Sequence, residues 1–142
     1  MVGYRRIMFP LDLSPAAPAV ARHVAIMAAK FAADVHVVHV VPFYEGPTFA
    51  SYERVMDEIK QTATQTMDEF TAEHLQEVKQ LKTRVLVGHT GRQLLNYAAQ
   101  NDISLIIMGT HGRSGVGRLF FGSVAQRVVQ SSRVPVMTVH PV

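Results

Sequence analysis

Apolar and polar positions alternate along this chain in blocks that change period, and the changes mark its elements. Tyr4 to Leu11 reads as a first strand centred on Ile7-Met8-Phe9 and closed by Asp12. Ser14-Pro15 then reads as a helix start, serine as N-cap and proline at the first helical position. Ala17, Val20, Val24, Met27 and Phe31 recur at three- and four-residue steps, the stripe of a helix lying on a sheet. Val35 to Val41 is valine-rich and predicts a second, central strand. After a loop from Pro42 to Ala50, a long helix is predicted from Ser51 to about Gln80. Its stripe is Tyr52, Val55, Met56, Ile59, Ala63, Met67, Phe70, Leu75 and Val78, with Glu and Lys on the other face.

Thr83 to Val87 predicts a third strand, broken at Gly88, and Gln93 to Gln100 a short helix with Leu94, Leu95 and Ala98 inward. Ile103 to Met108 is the fourth strand, Ser123 to Ser131 the last helix and Val134 to Val139 the fifth strand. Pro135 cannot donate to a ladder, so it places that fifth strand at a sheet edge. Strands alternating with helices imply an α/β fold: a five-stranded parallel sheet, helices on both faces, right-handed crossovers, a three-layer α/β/α sandwich.

The richest stretch is Ile103 to Ser123. An apolar strand stops at Gly109, and a loop follows with Gly112, Gly115, Gly117, Arg113 and Arg118, then Phe120-Phe121 and Gly122-Ser123. Ser123 with Gln126 is a capping-box pattern, backed by Val124, Ala125, Val128 and Val129. Strand, glycine loop and helix N-terminus together suit a phosphate. Glycines let backbone N–H groups approach the anion, and the helix end adds positive partial charge. No Asp or Glu follows Asp102, whereas Arg113, Arg118, Arg127 and Arg133 do. The plain alternative is a surface loop with solvated arginines. A Walker pattern is absent, and Gly115-Val116-Gly117 leads to Phe120 instead of the third glycine of a dinucleotide fingerprint.

What stands there is Gly109-x2-Gly112-x9-Gly122-Ser123, flanked by Met108-Gly109-Thr110-His111-Gly112-Arg113-Ser114-Gly115. This resembles the ATP-binding signature G-x2-G-x9-G-[ST] of the universal stress protein family, and the likeness extends over nearly the whole chain. The resemblance implies strand order 3-2-1-4-5, in the manner of adenine nucleotide alpha hydrolases. It implies that Gly109, Gly112, Gly122, Ser123 and Val124 hold ATP phosphates through backbone amides, Ser123 adding its hydroxyl and Arg113 its charge. Pro10, Asp12, Val40 and Met108 would lie toward the nucleoside, with Mg²⁺ arriving with the nucleotide. Val40 and Val41 both match positions that line the family's adenine pocket, and both also fit plain sheet core. The resemblance further implies a homodimer through the last strand and a protein partner it does not identify. Two places depart from the family: Leu13 stands where many relatives carry glycine, and Gly88-His89-Thr90-Gly91 replaces the usual G-x-P turn.

Asp12, ending a strand, suits hydrogen bonds from ribose or adenine or a share in holding Mg²⁺, a reading the resemblance favours over a plain turn residue before the helix. His111 fits either a phosphate contact or a structural hydrogen bond. Phe43, Tyr44 and Phe49 fit a packed loop better than a lid. His36 and His39, three apart on a strand, point to opposite faces and cannot share an ion. Ser123 has no nucleophile-elbow surroundings. No acid–base pair is evident, so the site reads as one that holds a nucleotide more than it turns one over.

Length and composition narrow the rest. The 142 residues suit one domain with a proper core, and 48% of them are hydrophobic. A net charge of +3 with scattered basic residues does not indicate a nucleic-acid surface. With no cysteine, disulfides, thiolate metal sites and a cysteine nucleophile are excluded. Pro10 and Asp12 interrupt the first apolar run before it could act as a signal sequence, and no run reaches the ~18 apolar residues of a membrane span. The expectation is a cytoplasmic, nucleotide-dependent regulatory protein. The rivals are a slow ATPase or adenylyl-transferring enzyme, and an interaction module with an empty pocket.

Overall fold

The computed structural model describes residues 3–42, 51–110 and 122–140. In chain order the elements are β1 (Arg6–Pro10), α1 (Ala17–Phe31), β2 (Asp34–Pro42), α2 (Tyr52–His74), β3 (Leu81–Gly88), α3 (Thr90–Gln100), β4 (Leu105–Gly109), α4 (Ser123–Ser131) and β5 (Val136–Val139). The strands form one parallel sheet in the order β3-β2-β1-β4-β5. Side-chain alternation divides the core into two layers. Ile7, Phe9, Val35, Val37, Leu105 and Ile107 meet α1 and α2 on one face. Met8, Val38, Val40, Ile106 and Met108 meet α3 and α4 on the other. Such double burial is why these strands read as nearly unbroken apolar runs. Among the described residues, no helix is long and apolar enough to cross a membrane.

Several boundaries differ from those the pattern predicts, each for a local reason. Ser14 is not the cap of α1: its N–H donates to Asp12 Oδ1 at 2.9 Å, and Ala17 N–H donates to its carbonyl at 3.0 Å. The carboxylate thus draws Ser14 into a turn, Ala16 becomes the N-cap, and Pro18 is the proline in the first turn. Helix α2 stops at His74, short of Gln80. Leu75 and Val78 keep the helical stripe only because they tuck onto the core from a turn closed by Val78 N–H to the Leu75 carbonyl at 3.0 Å. That turn lets the Gln80 carbonyl accept from Val35 N–H at 2.8 Å and start β3 beside β2. Helix α3 begins at Thr90, three residues before Gln93. Gly88 ends β3 at φ 144, and a Cβ there would lie 2.9 Å from Gln93 Nε2, so the abrupt entry into α3 depends on that glycine.

At α1's other end, Ala32 is a left-handed cap at φ 50, ψ 46, exposed, with Ala33 N–H returning to the Ala28 carbonyl at 2.9 Å. Ala32→Gly removes the Cβ clash of that conformation without loss of packing. It should stabilise the protein by about 0.5–1 kcal/mol, raising Tm by roughly 2–4 °C. Calorimetry of the variant checks this, and a lowered Tm would contradict the cap geometry.

On the α3 face, His36 is 5% exposed and its Nδ1 lies 2.7 Å from the Tyr97 hydroxyl. Burial pushes the imidazole pKa below its ordinary 6.5, Arg6, Lys82 and Arg84 lower it further, and Asp34 opposes them. Burial also raises the Tyr97 pKa. The unfolded chain therefore takes up a proton near pH 6.5 that the folded chain resists. This contribution is complete above pH 6.5 and is lost as pH falls from there toward the depressed folded value. Denaturant midpoints from pH 7.5 to 5 should fall more steeply for wild type than for His36→Phe/Tyr97→Phe. Equal slopes would mean that His36 is not held neutral.

Candidate functional site

A cleft of about 460 Å³ opens beyond the carboxyl ends of β1 and β4, the neighbours at which strand order reverses. Pro10, Leu11 and Asp12 enter it from β1, and Val38, His39, Val40 and Pro42 from β2. Met108 and Gly109 come from β4, Gly122, Ser123, Val124 and Ala125 from the start of α4, and Thr90 and Leu94 from α3. A larger, shallow hollow of about 590 Å³ lies along α2 between Lys60 and Ala72. It is one helix's own outer surface, with no strand end or glycine turn to hold a ligand, and we give it no role.

The glycine segment's two ends are joined. Thr110 N–H donates to the Val139 carbonyl at 3.0 Å, and the Thr110 carbonyl accepts from Gly122 N–H at 2.6 Å. Thr110 Oγ1 also lies 3.0 Å from His140 Nδ1. The chain thus leaves the end of β4 and returns to the same spot, which delivers the α4 N-terminus to the strand ends. Gly122, in extended conformation, is the N-cap where the pattern predicts Ser123, and Ser123 is the first helical residue. Neither α3 nor α4 carries an acidic residue in its first turn, so no carboxylate of their own offsets the partial positive charge of their N-termini.

Asp12 is the one carboxylate among the described residues lining the cleft. Leu13, just after it, sits at φ 61, the left-handed conformation that suits glycine. Eight of the eleven residues singled out from the sequence come together here: Pro10, Asp12, Val40, Met108, Gly109, Gly122, Ser123 and Val124. The other three, His111, Gly112 and Arg113, lie outside the described residues, as do Arg118, Phe43, Tyr44 and Phe49. Val41 is buried but, by alternation, turns to the sheet face opposite Val40.

Leu11, beside Asp12, and Thr90, in the segment that departs from the family's G-x-P turn, also line the cleft, whereas sequence reasoning missed Val38, His39, Pro42, Leu94 and Ala125. Alternation from Val40 was a signal for Val38. Leu94 joined the cleft only with the true start of α3. His36 and His39 share no partner: His36 meets Tyr97, whereas His39 Nδ1 lies 2.7 Å from the Leu11 carbonyl. Among the described residues no three His, Asp or Glu side chains are grouped to hold a metal.

The model of the universal stress protein family matches residues 3–140. Universal stress protein MJ0531 of Methanocaldococcus jannaschii is 29% identical over 139 residues, 96% of this chain and 82% of that protein. Among solved structures, universal stress protein UspA from Lactobacillus plantarum superposes with TM-score 0.79 at 25% identity, covering 98% of this chain and 99% of that one. The universal stress protein from Archaeoglobus fulgidus, solved in complex with dAMP, shares the fold with TM-score 0.69 at 24% identity, covering 96% and 98%.

Proposed function

The chain belongs to the universal stress protein family, and on that premise we propose that its cleft binds ATP and that the protein acts as a nucleotide-dependent regulator. The observation that carries this reading is the start of α4, Gly122-Ser123-Val124, opening onto the same cleft as Asp12 from β1. Backbone N–H groups at a helix start, with no acid in the first turn, suit phosphate oxygens. The Ser123 hydroxyl can add one more bond, and Gly112, His111 and Arg113 belong to the same loop. Pro10, Asp12, Val40 and Met108 form the nucleoside side, with the Asp12 carboxylate an acceptor for ribose hydroxyls. Another member of this fold, the Archaeoglobus fulgidus protein, is known with an adenine nucleotide, dAMP.

With Asp12 the single described carboxylate at the cleft, Mg²⁺ would come with the phosphates and be held mostly by them. We further propose a single domain over residues 1–142, acting in the cytoplasm. It would form a homodimer through β5, whose outer edge has no neighbouring strand among the described residues. Nucleotide occupancy would then change the affinity for a protein partner.

The test starts with protein purified from cells, acid-released and analysed for nucleotide, then incubated with labelled ATP and Mg²⁺. ATP recovered unchanged supports a sensor. Steady multiple turnover replaces this reading with a slow ATPase or an adenylyl-transferring enzyme. No retained nucleotide and no measurable affinity would leave only an interaction module.

A further inference from the structure

The Leu11 carbonyl can only accept a hydrogen bond, so the 2.7 Å contact with His39 Nδ1 requires the proton on Nδ1. That bond sits at a sensitive place. The β1–β2 ladder runs to Pro10 opposite Val38, and Leu11 N–H donates to the Val38 carbonyl at 2.9 Å. With its N–H held by β2 and its carbonyl by His39, Leu11 has both adjoining peptide planes fixed. The chain then makes the Asp12–Ser14 turn, Asp12 Oδ1 accepting from Ser14 N–H at 2.9 Å, and passes through Leu13 at φ 61. A left-handed leucine is unfavourable by about 1–2 kcal/mol, so neighbouring contacts must hold this turn in place.

We propose that His39 is a positioning residue of the cleft: through its Nδ1–H bond to Leu11 it fixes the turn that presents the Asp12 carboxylate to the ligand. The consequence for nucleotide affinity rests on the ATP-binding reading above; the consequence for the turn does not.

Two isosteric replacements separate the ring's nitrogens. In His39→Asn the amide nitrogen takes the place of Nδ1, and in His39→Gln that of Nε2. Titration calorimetry with ATP and Mg²⁺ should find His39→Asn within about twofold of wild type. His39→Ala and His39→Gln should bind about five- to tenfold more weakly, the loss expected for one hydrogen bond. In an Asp12→Ala background, His39→Ala should cost nothing further, because its effect passes through Asp12. Rescue by Gln and not by Asn would mean that Nε2 touches the ligand directly, and would overturn the proposal. So would equal weakening in all three variants, no weakening in any, or full additivity with Asp12→Ala. Crystal structures of His39→Asn and His39→Ala without nucleotide give a second readout. The turn should persist in the first and rearrange in the second, and an unchanged turn in His39→Ala refutes the proposal. Should wild type bind no ATP, the functional reading fails alone, and the two crystal structures still decide the role of His39.

Discussion

Replacing Gly122 by valine should lower ATP affinity by about 10- to 100-fold while the protein stays folded. Gly122 is the α4 N-cap at φ −61, ψ 159, a conformation open to any residue, so the substitution introduces no backbone strain. Its N–H remains available to the Thr110 carbonyl, and the return of the chain to β4 is kept. What changes is the space in front of the Ser123 and Val124 amides, where a branched side chain would stand between backbone and phosphate. A hydrogen bond to a charged group is worth about 1.5–3 kcal/mol, and losing one gives the stated range. Valine is also a poor cap, so stability should fall by about 1 kcal/mol. Gly122→Ala, with only a methyl group, should lie between the two. Titration calorimetry beside a thermal melt checks both parts. A folded valine variant with wild-type affinity would remove the phosphate assignment from the start of α4.

Phe9→Ala should destabilise the protein by about 3–5 kcal/mol, a large part of the roughly 5–15 kcal/mol available to a domain. Phe9 is 1% exposed on β1, the middle strand of the sheet, opposite Val37 of β2. Its ring tilts against Phe70 of α2 with centroids 6.3 Å apart. Truncation leaves a cavity between the sheet and both helices of that face, and fixed strands cannot close it. Urea unfolding should move to a lower midpoint with an unchanged m-value. Because Pro10, Leu11 and Asp12 continue directly from Phe9, nucleotide affinity should fall as well. A loss under 1 kcal/mol would mean that the ring is not held in a rigid core.

Elements buried on both sides were legible because burial leaves a mark in composition. Ile7-Met8-Phe9 and the valines from 35 to 41 mark strands whichever helices cover them. Element ends were less legible, since they depend on which of two competing hydrogen bonds wins. Ser14 looks like a cap, but the Asp12 carboxylate accepts from its N–H in a turn that ends before the helix, and the N-cap falls two residues later at Ala16. Leu75 and Val78 fit the α2 stripe and are indeed buried or partly so, yet they reach the core from a turn.

In the candidate site, the glycine spacing drew attention to Gly109 and Gly122, and Asp12 stood out as a lone acid at a strand end. Val40 and Val41 read identically, and only the sheet's alternation put Val40 on the cleft side. His39 gave no usable signal, because its partner is a carbonyl 28 residues earlier in the chain.

By itself, then, the sequence determined the alternation of strand and helix, the doubly covered sheet and the start of α4 just after the glycine spacing, since each depends on residue type and spacing within one short segment. The β1–β4 adjacency followed from the family resemblance and from no local pattern, and tertiary structure alone decided that Thr110 and Gly122 meet and that His39 Nδ1 lies against the Leu11 carbonyl. The physical reason is that these are hydrogen bonds between segments far apart along the chain, and no local pattern records which distant group will fill a given donor or acceptor.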